Sequence, residues 1–305
     1  MESYYSISAK AAKECVVALG CFDGVHAGHI KLIEEARKIA VDKNLATAIW
    51  SFSEPPRNFF TENKIPLLTT AEEKRDIMNS LGVDIFVSVP FNEEISEMSA
   101  EDFFYTVLLK NMKAKHIVCG FNYRFGKKGA GNADVLKELC DKNKISLSVI
   151  SPVKIDEITV SSSEIRSALE NGNIERANAF LTRSYAIYSP VIDGQHLGRK
   201  LGFPTVNQAF PPFKAVPKRG VYLSQITFGN TTKHGITNIG LRPTVGADKI
   251  YAETNIFDFE ENLYGTLINV ELLHFLREER KFATLEELTE QVHHDITTAK
   301  EILNK

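Results

Sequence analysis

Long hydrophobic runs are missing from this 305-residue sequence. No apolar stretch approaches the roughly 20 residues that a membrane-spanning helix needs. The opening segment, MESYYSISAKAAKE, also lacks the charged and then apolar plan of a secretory signal. From these absences we expect a cytoplasmic protein without a membrane partner.

A strong excess of charge of one sign is missing as well, because 36 Lys and Arg face 39 Asp and Glu, a formal net charge of -3. Such a balance gives no sequence-wide attraction to nucleic acid. We therefore expect no nucleic-acid partner, and any phosphate recognition must be local. Cysteine is scarce too: the four cysteines, Cys15, Cys21, Cys119 and Cys140, include no C-x-x-C pair, and we expect them to be reduced and mostly buried.

The first half of the chain alternates between two kinds of segment. Short apolar runs rich in β-branched residues are CVVAL, ATAIWSF, VDIFVSV, HIVCGF and SLSVIS. Segments of helical period separate them, at residues 30–41, 72–81, 100–112 and 133–140. The alternation predicts an α/β fold built on a doubly wound sheet of about five parallel strands.

The second half consists of short β runs separated by turns: YAIYSPVI, GVYLSQITF, HGITNIG, IYAETNIFDF and TLINVELLHFL. They predict a small antiparallel β-barrel. The tail TLEELTEQVHHDITTAKEILNK predicts one amphipathic helix, with Thr284 as its N-cap and Glu287 as the capping-box partner. Before the barrel, VSSSEIRSALENGNIERANAFL predicts a helix that begins at a serine cap. We therefore predict two domains, residues 1–183 and 184–305.

The segment GCFDGVHAGH, residues 20 to 29, joins the first predicted strand to the first predicted helix. Open α/β sheets bind ligands at such junctions, where the N–H groups of the helix point outward. Gly20, Gly24 and Gly28 let the backbone approach phosphate oxygens, and His26 and His29 can donate hydrogen bonds to charge that develops in a transition state. The segment predicts phosphate chemistry. A zinc site is the alternative, although two histidines without a nearby third ligand make a poor one.

GCFDGVHAGH resembles the H-x-G-H signature of the nucleotidyltransferase superfamily, in the version carried by prokaryotic bifunctional riboflavin kinase/FAD synthetases. Six further motifs of that family occur in the same order, so the resemblance extends over nearly the whole chain. They are PLLTTAEEK at 66–74, VCGFNYRFGKKGAGN at 118–132, VSSSEIR at 160–166, GRKLGFPTVN at 198–207, NIGLRPT at 238–244 and FLREERKF at 275–282.

For the first domain the resemblance implies transfer of AMP from ATP to FMN, giving FAD and pyrophosphate. The FMN phosphate attacks the α-phosphorus directly, so the domain needs positioning and charge stabilisation rather than a protein nucleophile. The implied catalytic residues are His26, His29 and Arg166. The implied nucleotide-binding residues are Gly20, Phe22, Asp23, Gly24, His26, Gly28, His29, Ser162, Ser163 and Arg166, and the implied flavin-binding residues are Asn122, Tyr123, Arg124 and Phe125. Core packing is an equally good interpretation of these aromatic residues, and helix capping is an alternative for the serines.

For the second domain the resemblance implies ATP-dependent phosphorylation of riboflavin to FMN. LGFPTVN resembles the P-T-A-N motif of riboflavin kinases, with Val206 in place of alanine. Thr205 and Asn207 lie two apart, so an extended segment points both side chains to one face, and their oxygens are the implied ligands of Mg²⁺. Glu253 is the implied catalytic base for the riboflavin 5′-hydroxyl; from the residues alone it is a solvent-facing strand position. Gly198 and Gly202 are implied nucleotide-binding residues, and Asn255 and Arg277 are implied flavin-binding residues.

The chain departs from the family pattern at three places. Pro56 in FSEPP replaces a histidine, Cys21 replaces asparagine or threonine, and Thr254-Asn255 replaces a valine-histidine pair. One alternative is therefore a single-activity FMN adenylyltransferase with a weakened kinase domain, and another is a flavin-binding regulatory protein. The intact phosphate, metal and base motifs favour an enzyme with both activities, with ATP as co-substrate and riboflavin, FMN and FAD as its flavin ligands. The oligomeric state stays open.

Overall fold

The computed structural model describes residues 1–194, 198, 201–244 and 247–304. The chain divides into two compact units, Met1–Ser162 and Ser163–Lys305. The first unit is built on an open sheet and the second on a closed barrel. Among the described helices, none is both long enough and apolar enough to cross a membrane.

The first unit contains a parallel sheet of six strands. They are β1 (Glu2–Tyr4), β2 (Cys15–Leu19), β3 (Ala46–Phe52), β4 (Ile85–Val89), β5 (Ala114–Gly120) and β6 (Ser146–Ile150), in the spatial order β1-β4-β3-β2-β5-β6. An antiparallel hairpin, β7 (Lys154–Ile155) and β8 (Ile158–Thr159), follows β6. The predicted doubly wound sheet is confirmed. The sequence pattern did not predict β1, because three residues are too few to produce a recognisable pattern.

Helices flank both faces of this sheet. They are α1 (Ala27–Lys43), α2 (Ala71–Ser80), α3 (Glu93–Glu97), α4 (Ala100–Asp102), which continues as a π-helix over Phe103–Asn111, and α5 (Ala133–Lys142). The central strand β2 is buried along its whole length, as expected for a parallel strand that is covered on both faces. Val17 and Leu19 pack into one hydrophobic layer, and Val16 and Ala18 into the other, because successive side chains of a strand point to opposite faces.

The strand order reverses between β2 and β5. From β2 the chain passes through α1 to β3 on one side, whereas β5 and β6 lie on the other side. A crevice opens at such a reversal, outside the carboxyl ends of the strands. The segments that follow β2, β5 and β6 therefore meet at one place.

The second unit contains a closed antiparallel barrel of six strands, which confirms the predicted fold class of the second half. The strands are β9 (Tyr185–Ile192), β10 (Val206–Ala209), β11 (Gly220–Phe228), β12 (Thr231–Thr244), β13 (Ala247–Ile256) and β14 (Leu267–Glu278), and the order around the barrel is β10-β13-β12-β11-β14-β9. β10 is the strand that the β runs did not reveal, because it has only four residues.

The single helix expected before the barrel is in fact two helices, α6 (Ser162–Glu170) and α7 (Ile174–Leu181). The break falls at Gly172, whose φ of 77° leaves the helical region, and Asn173 caps α7 by accepting a hydrogen bond from the Arg176 N–H. A glycine after the last periodic residue is a helix end signal, so the prediction of one helix was wrong for a local reason.

The tail forms the predicted helix α8 (Leu285–Leu303). Thr284 accepts a hydrogen bond from the Glu287 N–H at 3.2 Å, as predicted. The Glu287 carboxylate, however, accepts from the Ala283 N–H at 3.0 Å, one residue before the expected partner.

Candidate active sites

The loop between β2 and α1 carries the two histidines of the first motif. His26 is the N-cap of α1, and its ring Nδ1 accepts a hydrogen bond from the His29 N–H at 3.4 Å. The two imidazole rings stack with centroids 3.7 Å apart and an interplanar angle of 17°. Two cations this close would repel each other, so the pair favours at least one neutral ring. A ring nitrogen that accepts carries no proton, so a neutral His26 has its proton on Nε2, which makes Nε2 a donor.

This loop has a strained backbone. Phe22 has a φ of 52° and Val25 a φ of 40°, in the left-handed region that favours glycine. A non-glycine residue held in that region costs on the order of 1–3 kcal/mol, and such strain persists only where the surroundings impose it. Hydrogen bonds from neighbouring segments do so here: the Leu68 N–H donates to Asp23 Oδ1 at 2.9 Å, and the Gly24 N–H donates to Thr69 Oγ1 at 3.2 Å.

A cleft of about 400 Å³ lies at the switch point of the sheet. It brings together predicted site residues from the segments after β2, β5 and β8, which are far apart in sequence. These are Gly20, His26, Gly28, His29, Asn122, Tyr123, Arg124 and Ser162. Ser162 also donates through Oγ to the Asp23 carbonyl at 2.9 Å, so one serine both lines the cleft and fixes the histidine loop.

Four predicted residues of the first unit do not line this cleft. Phe22, Asp23 and Gly24 are buried in the loop and do not face the cleft, so their contact with a nucleotide stays a prediction from the sequence. Phe125 is 6% exposed and packs against Phe103 in the core. Phe125 is therefore a core residue, as the packing alternative predicted, because the turn after β5 directs its ring inward.

Aromatic side chains line part of the same cleft. Phe121 is half exposed, and Phe52 and Pro56 contribute from the end of β3. Burial raises the pKa of the Tyr123 phenol above its usual range, so this hydroxyl stays neutral at physiological pH. The cleft therefore combines polar groups at the α1 end with an apolar surface farther from α1.

Ser163 and Arg166 lie on α6 and belong to the second compact unit. Ser163 is exposed and Arg166 half-buried. Their contact with a nucleotide stays a prediction from the sequence.

In the barrel, strand register aligns the predicted kinase residues. Asn207 on β10 lies opposite Glu253 on β13, which lies opposite Asn238 on β12. The same row continues through Val221 on β11 to Arg277 on β14. Residues directly opposite one another in antiparallel strands share a face, with Cβ atoms about 4.5–5.5 Å apart. The row therefore places amides on both sides of Glu253.

All members of this row except Asn207 line a cleft of about 260 Å³ between the barrel and α8. Its polar lining comes from the predicted residues Thr205, Glu253, Asn255 and Arg277, together with Asn238, Glu279, Arg280 and Asp295. Apolar side chains supply the rest, namely Phe203, Val221, Ile236, Phe282, Leu288 and Val292. Asn255 donates through Nδ2 to the Pro204 carbonyl at 2.9 Å and so ties β13 to the segment that carries Thr205.

Arg277 is held from α8 by a buried carboxylate. Its Nε donates to Asp295 Oδ1 at 2.9 Å and its Nη2 to Asp295 Oδ2 at 2.8 Å. Gln291 Nε2 donates to the same carboxylate at 2.7 Å. The planar guanidinium is thereby fixed beside the cleft, a geometry that lysine could not reproduce.

Thr205 lies between this cleft and a narrower one that Glu260 and Tyr264 also line. Two glycines lie against the predicted metal ligands. A Cβ on Gly198 would lie 3.4 Å from Thr205 Oγ1, and a Cβ on Gly194 would clash with the Asn207 amide. Gly202 has a φ of 86°, which favours glycine. The chain around Gly198, at residues 195–197 and 199–200, lies outside the described residues.

Sequence reasoning missed three residues of these sites. Lys74 donates to backbone carbonyls behind the histidine loop, Asn238 flanks Glu253, and Asp295 holds Arg277. Lys74 and Asn238 lie in the motifs PLLTTAEEK and NIGLRPT, to which the sequence analysis assigned no role. Asp295 lies in the C-terminal helix, whose amphipathic pattern does not indicate a functional residue. Over the described residues, no group of three or more His, Cys, Asp and Glu is arranged to hold a metal ion.

Comparisons with known proteins match both halves of the chain. A family model described as FAD synthetase matches residues 8–164, and one described as riboflavin kinase matches residues 181–303. The bifunctional riboflavin kinase/FMN adenylyltransferase of Bacillus subtilis (strain 168) is 35% identical over 297 residues, which cover 96% of this chain and 93% of the relative. The protein of the same description from Escherichia coli (strain K12) is 31% identical, covering 97% and 95%.

A solved structure covers almost the whole chain. It is described as a crystal structure of a macrolide-efflux protein from Streptococcus pneumoniae. The TM-score is 0.91, the sequence identity is 27%, and the match covers 98% of this chain and 99% of the other. Both units therefore have their counterparts in one experimental chain.

Proposed function

The chain belongs to the bifunctional riboflavin kinase/FMN adenylyltransferase family, and from this premise we propose which of its two units carries out each of the two reactions. The protein is a transferase that uses ATP to phosphorylate riboflavin to FMN and to adenylylate FMN to FAD. We assign adenylyl transfer to the cleft of the first unit and phosphoryl transfer to the barrel cleft. The observation that carries this assignment is that each cleft is lined by the motif residues of one reaction.

In adenylyl transfer, a phosphate oxygen of FMN forms a bond to the α-phosphorus of ATP while the bond to pyrophosphate breaks. We propose that His26 and His29 donate hydrogen bonds to the phosphate oxygens that gain charge. Their position at the start of α1 supports this role, since the N–H groups of a helix N-terminus favour anions. Removal of one preorganised donor of this kind typically costs about 10²- to 10³-fold in rate.

The remaining predicted residues of the first reaction are proposed as binding groups. Ser162 holds the triphosphate, and Ser163 and Arg166 are assigned to the same task by the sequence resemblance. Arginine suits it because its fork can bind two phosphate oxygens at once. Asn122, Tyr123 and Arg124 are proposed to contact the flavin, which the aromatic lining of the cleft supports.

In phosphoryl transfer, the riboflavin 5′-hydroxyl forms a bond to the γ-phosphorus of ATP while the bond to ADP breaks. We propose that Glu253 accepts the hydroxyl proton. Its place in the cleft wall, between Asn207 and Asn238 in the strand register, supports this role. Asn255 and Arg277 are proposed to border the flavin, and Gly198 and Gly202 to lie beside the nucleotide.

Mg²⁺ is proposed as the metal of the kinase site, with Thr205 Oγ1 and the Asn207 amide oxygen as protein ligands. The donor set fits, because Mg²⁺ prefers oxygen ligands and takes few from the protein when phosphates and water supply the others. Glycine at 194 lets the backbone lie close to Asn207, since a Cβ there would clash with its amide. When bound, the ion neutralises charge on the transferring phosphates. Thr205 and Asn207 orient it from one face of the strand.

Several further expectations remain proposals. The domain boundary at 183/184 lies near the start of the riboflavin kinase match at residue 181, whereas the compact units divide at Ser162. A cytoplasmic location and the absence of nucleic-acid and membrane partners stay predictions from the sequence.

The experiment follows both reactions in one chain. Purified protein is incubated with Mg-ATP and either riboflavin or FMN, and the flavins are separated by chromatography. We expect the wild type to form FMN and FAD, and His29→Ala, and similarly His26→Ala, to lose about 10²- to 10³-fold in FAD formation while riboflavin phosphorylation stays near wild type. Equal loss of both activities would contradict the assignment of one reaction to each cleft.

A further inference from the structure

Lys74 is a deeply buried charged side chain beside the first cleft, and the proposed mechanism does not use it. It lies on α2 and is 2% exposed. Its Nζ donates to the carbonyl of Phe52 at 3.0 Å, of Cys21 at 3.3 Å and of Ser53 at 3.5 Å. One ammonium therefore joins the carboxyl ends of two adjacent strands, β2 and β3.

The geometry matches a protonated lysine. An ammonium group has three N–H donors, and three carbonyl oxygens surround it. Burial lowers the pKa of Lys74, while the neighbouring Cys21 and Asp23 side chains act in the opposite direction. Burying an ammonium group is unfavourable unless its hydrogen bonds are satisfied. We therefore expect Lys74 to be buried here for the hydrogen bonds that it makes, and not only to fill space.

The reason lies in the loop that Lys74 contacts. Cys21 immediately precedes Phe22, the first residue of the loop with a positive φ. The Cys21 carbonyl accepts from Lys74 and also from Ser51 Oγ at 2.8 Å, so two donors fix the peptide that begins the strained segment. Cys21 itself lines the cleft. Lys74 therefore lies one residue behind the cleft wall.

We propose that Lys74 is a positioning residue for adenylyl transfer: it holds the Cys21–Phe22 peptide in the strained conformation that places His26 and His29 against the ATP phosphates. The inference rests on the proposed function of the two histidines. Lys74 touches no substrate and acts through the loop alone.

The consequence for the reaction is a loss of alignment. Without the ammonium, the Cys21 carbonyl loses one of its donors, and the peptide can relax toward an unstrained φ. The histidines follow because only three residues separate Phe22 from His26. A displacement of about 1 Å at reacting groups can cost about 10²-fold in rate.

The test is a double-mutant cycle of Lys74→Met and His29→Ala in the full-length protein, measured as FAD formation from FMN and Mg-ATP. Methionine keeps the length of the side chain and removes its charge. Lys113→Met is the matched control, because Lys113 also donates to a backbone carbonyl, that of Ala12 at 3.0 Å, but at the amino end of β5, away from the loop. Trp50 is the only tryptophan and is buried in β3, so its emission reports whether the first unit is folded.

We expect Lys74→Met to lower kcat for FAD formation by about 10²-fold with KM for ATP changed by less than about threefold. Lys113→Met and riboflavin phosphorylation should stay near wild type. The double variant should be no slower than the slower single variant by more than about threefold, since both substitutions disable the same loop. Independent effects would instead multiply to about 10⁴- to 10⁵-fold, and that result would overturn the proposal.

Other results are equally decisive. Wild-type FAD formation by a folded Lys74→Met protein, or an equal loss of riboflavin phosphorylation, overturns the inference. Full activity of His29→Ala alone overturns the proposed function instead, so the two failures are distinguishable. If Lys74→Met lacks the native Trp50 emission, Lys74→Arg and Lys74→Gln are compared: higher kcat for the arginine variant supports the proposal, and equal values overturn it.

Discussion

Glu253 lies between two amides on neighbouring strands, Asn207 and Asn238. This environment is polar and open to the cleft, which is consistent with the proposed role of Glu253 as a proton acceptor. Thr205, by contrast, lies at the junction of two clefts, and its proposed role is to bind Mg²⁺. The two residues are therefore expected to fail in different ways.

Replacement of Glu253 by glutamine keeps the size of the side chain and removes the proton acceptor. We expect riboflavin phosphorylation by Glu253→Gln to fall by about 10²- to 10⁴-fold while the Kd for Mg-ADP stays near wild type. Thr205→Ala should instead weaken Mg-ADP binding. Steady-state assays and calorimetric titration separate the two effects. Wild-type phosphorylation by Glu253→Gln would return this residue to an ordinary strand position, with water or the phosphate taking the proton.

His116 provides a pH-dependent contribution to the stability of the first unit. Its Nε2 lies 2.9 Å from Ser148 Oγ, and its Nδ1 has no hydrogen-bond partner among the described residues. Burial lowers the pKa of His116 from 6.5, the positive charge of Lys43 lowers it further, and Glu35 opposes both. The unfolded chain therefore binds the proton more readily than the folded chain.

The free energy of unfolding should consequently fall as the pH drops from about 6.5 toward the lowered pKa of the folded state. We expect His116→Gln, which cannot take up the proton, to show a smaller fall between about pH 7.5 and about pH 5.5. Urea titrations followed by Trp50 emission measure it. Equal falls for both proteins would show that His116 does not contribute.

The helix α8 positions a residue of the barrel. Asp295 and Gln291 lie one turn apart on α8, and together they fix Arg277 of β14 at the cleft. The Asp295 side chain is 4% exposed and that of Arg277 is 21% exposed, so this ion pair is largely shielded from water. Removing one partner of such a pair leaves the other charge poorly satisfied.

Replacement of Asp295 by asparagine should therefore free the guanidinium to adopt other orientations. We expect Asp295→Asn to raise the KM for riboflavin by about tenfold or more, a loss of binding energy of at least about 1.4 kcal/mol, with a smaller change in kcat. Glu278→Gln is the matched control, because Glu278 pairs with Lys218 on the surface with its side chain 70% exposed. A similar KM in both variants would separate Arg277 from flavin binding.

The division of the whole chain depends on where α6 and α7 belong. Asn178 on α7 donates to the Leu272 carbonyl of β14 at 2.8 Å and accepts from the Tyr185 N–H of β9 at 2.7 Å. The Leu169 carbonyl of α6 accepts from the Lys218 N–H at 2.8 Å. Both helices are thus hydrogen-bonded to the barrel unit, although the sequence predicted a boundary after them.

Two fragments test this organisation. We expect residues 163–305 and 184–305 both to phosphorylate riboflavin and neither to form FAD, because each contains the whole barrel and α8 but not the first cleft. The shorter fragment should have the lower Tm, since it lacks the apolar face of α7 and the Asn178 bonds. Thermal unfolding and the flavin assay measure both properties. Equal Tm values would favour the boundary at 183/184, and a folded but inert 163–305 fragment would indicate that the first unit completes the kinase site.

The sequence by itself determined the elements and the chemistry of the motifs. β2 could be recognised because CVVAL is apolar throughout, and a strand covered on both faces needs such a run. The histidines of GCFDGVHAGH could be placed at a binding edge because they directly follow a strand, and open α/β sheets bind ligands at the carboxyl ends of their strands. The break between α6 and α7 also has a local cause in the sequence, because Gly172 is a helix end signal.

Only the tertiary structure decided which distant side chains meet. Lys74 contacts a carbonyl 53 residues away, and Asp295 contacts an arginine 18 residues away on another element. Asn207, Glu253 and Asn238 share a row only because of the register of three strands. Periodicity identifies the face on which a residue lies, but strand order and register follow from packing the whole core, since a shift of one residue would turn every side chain to the opposite face.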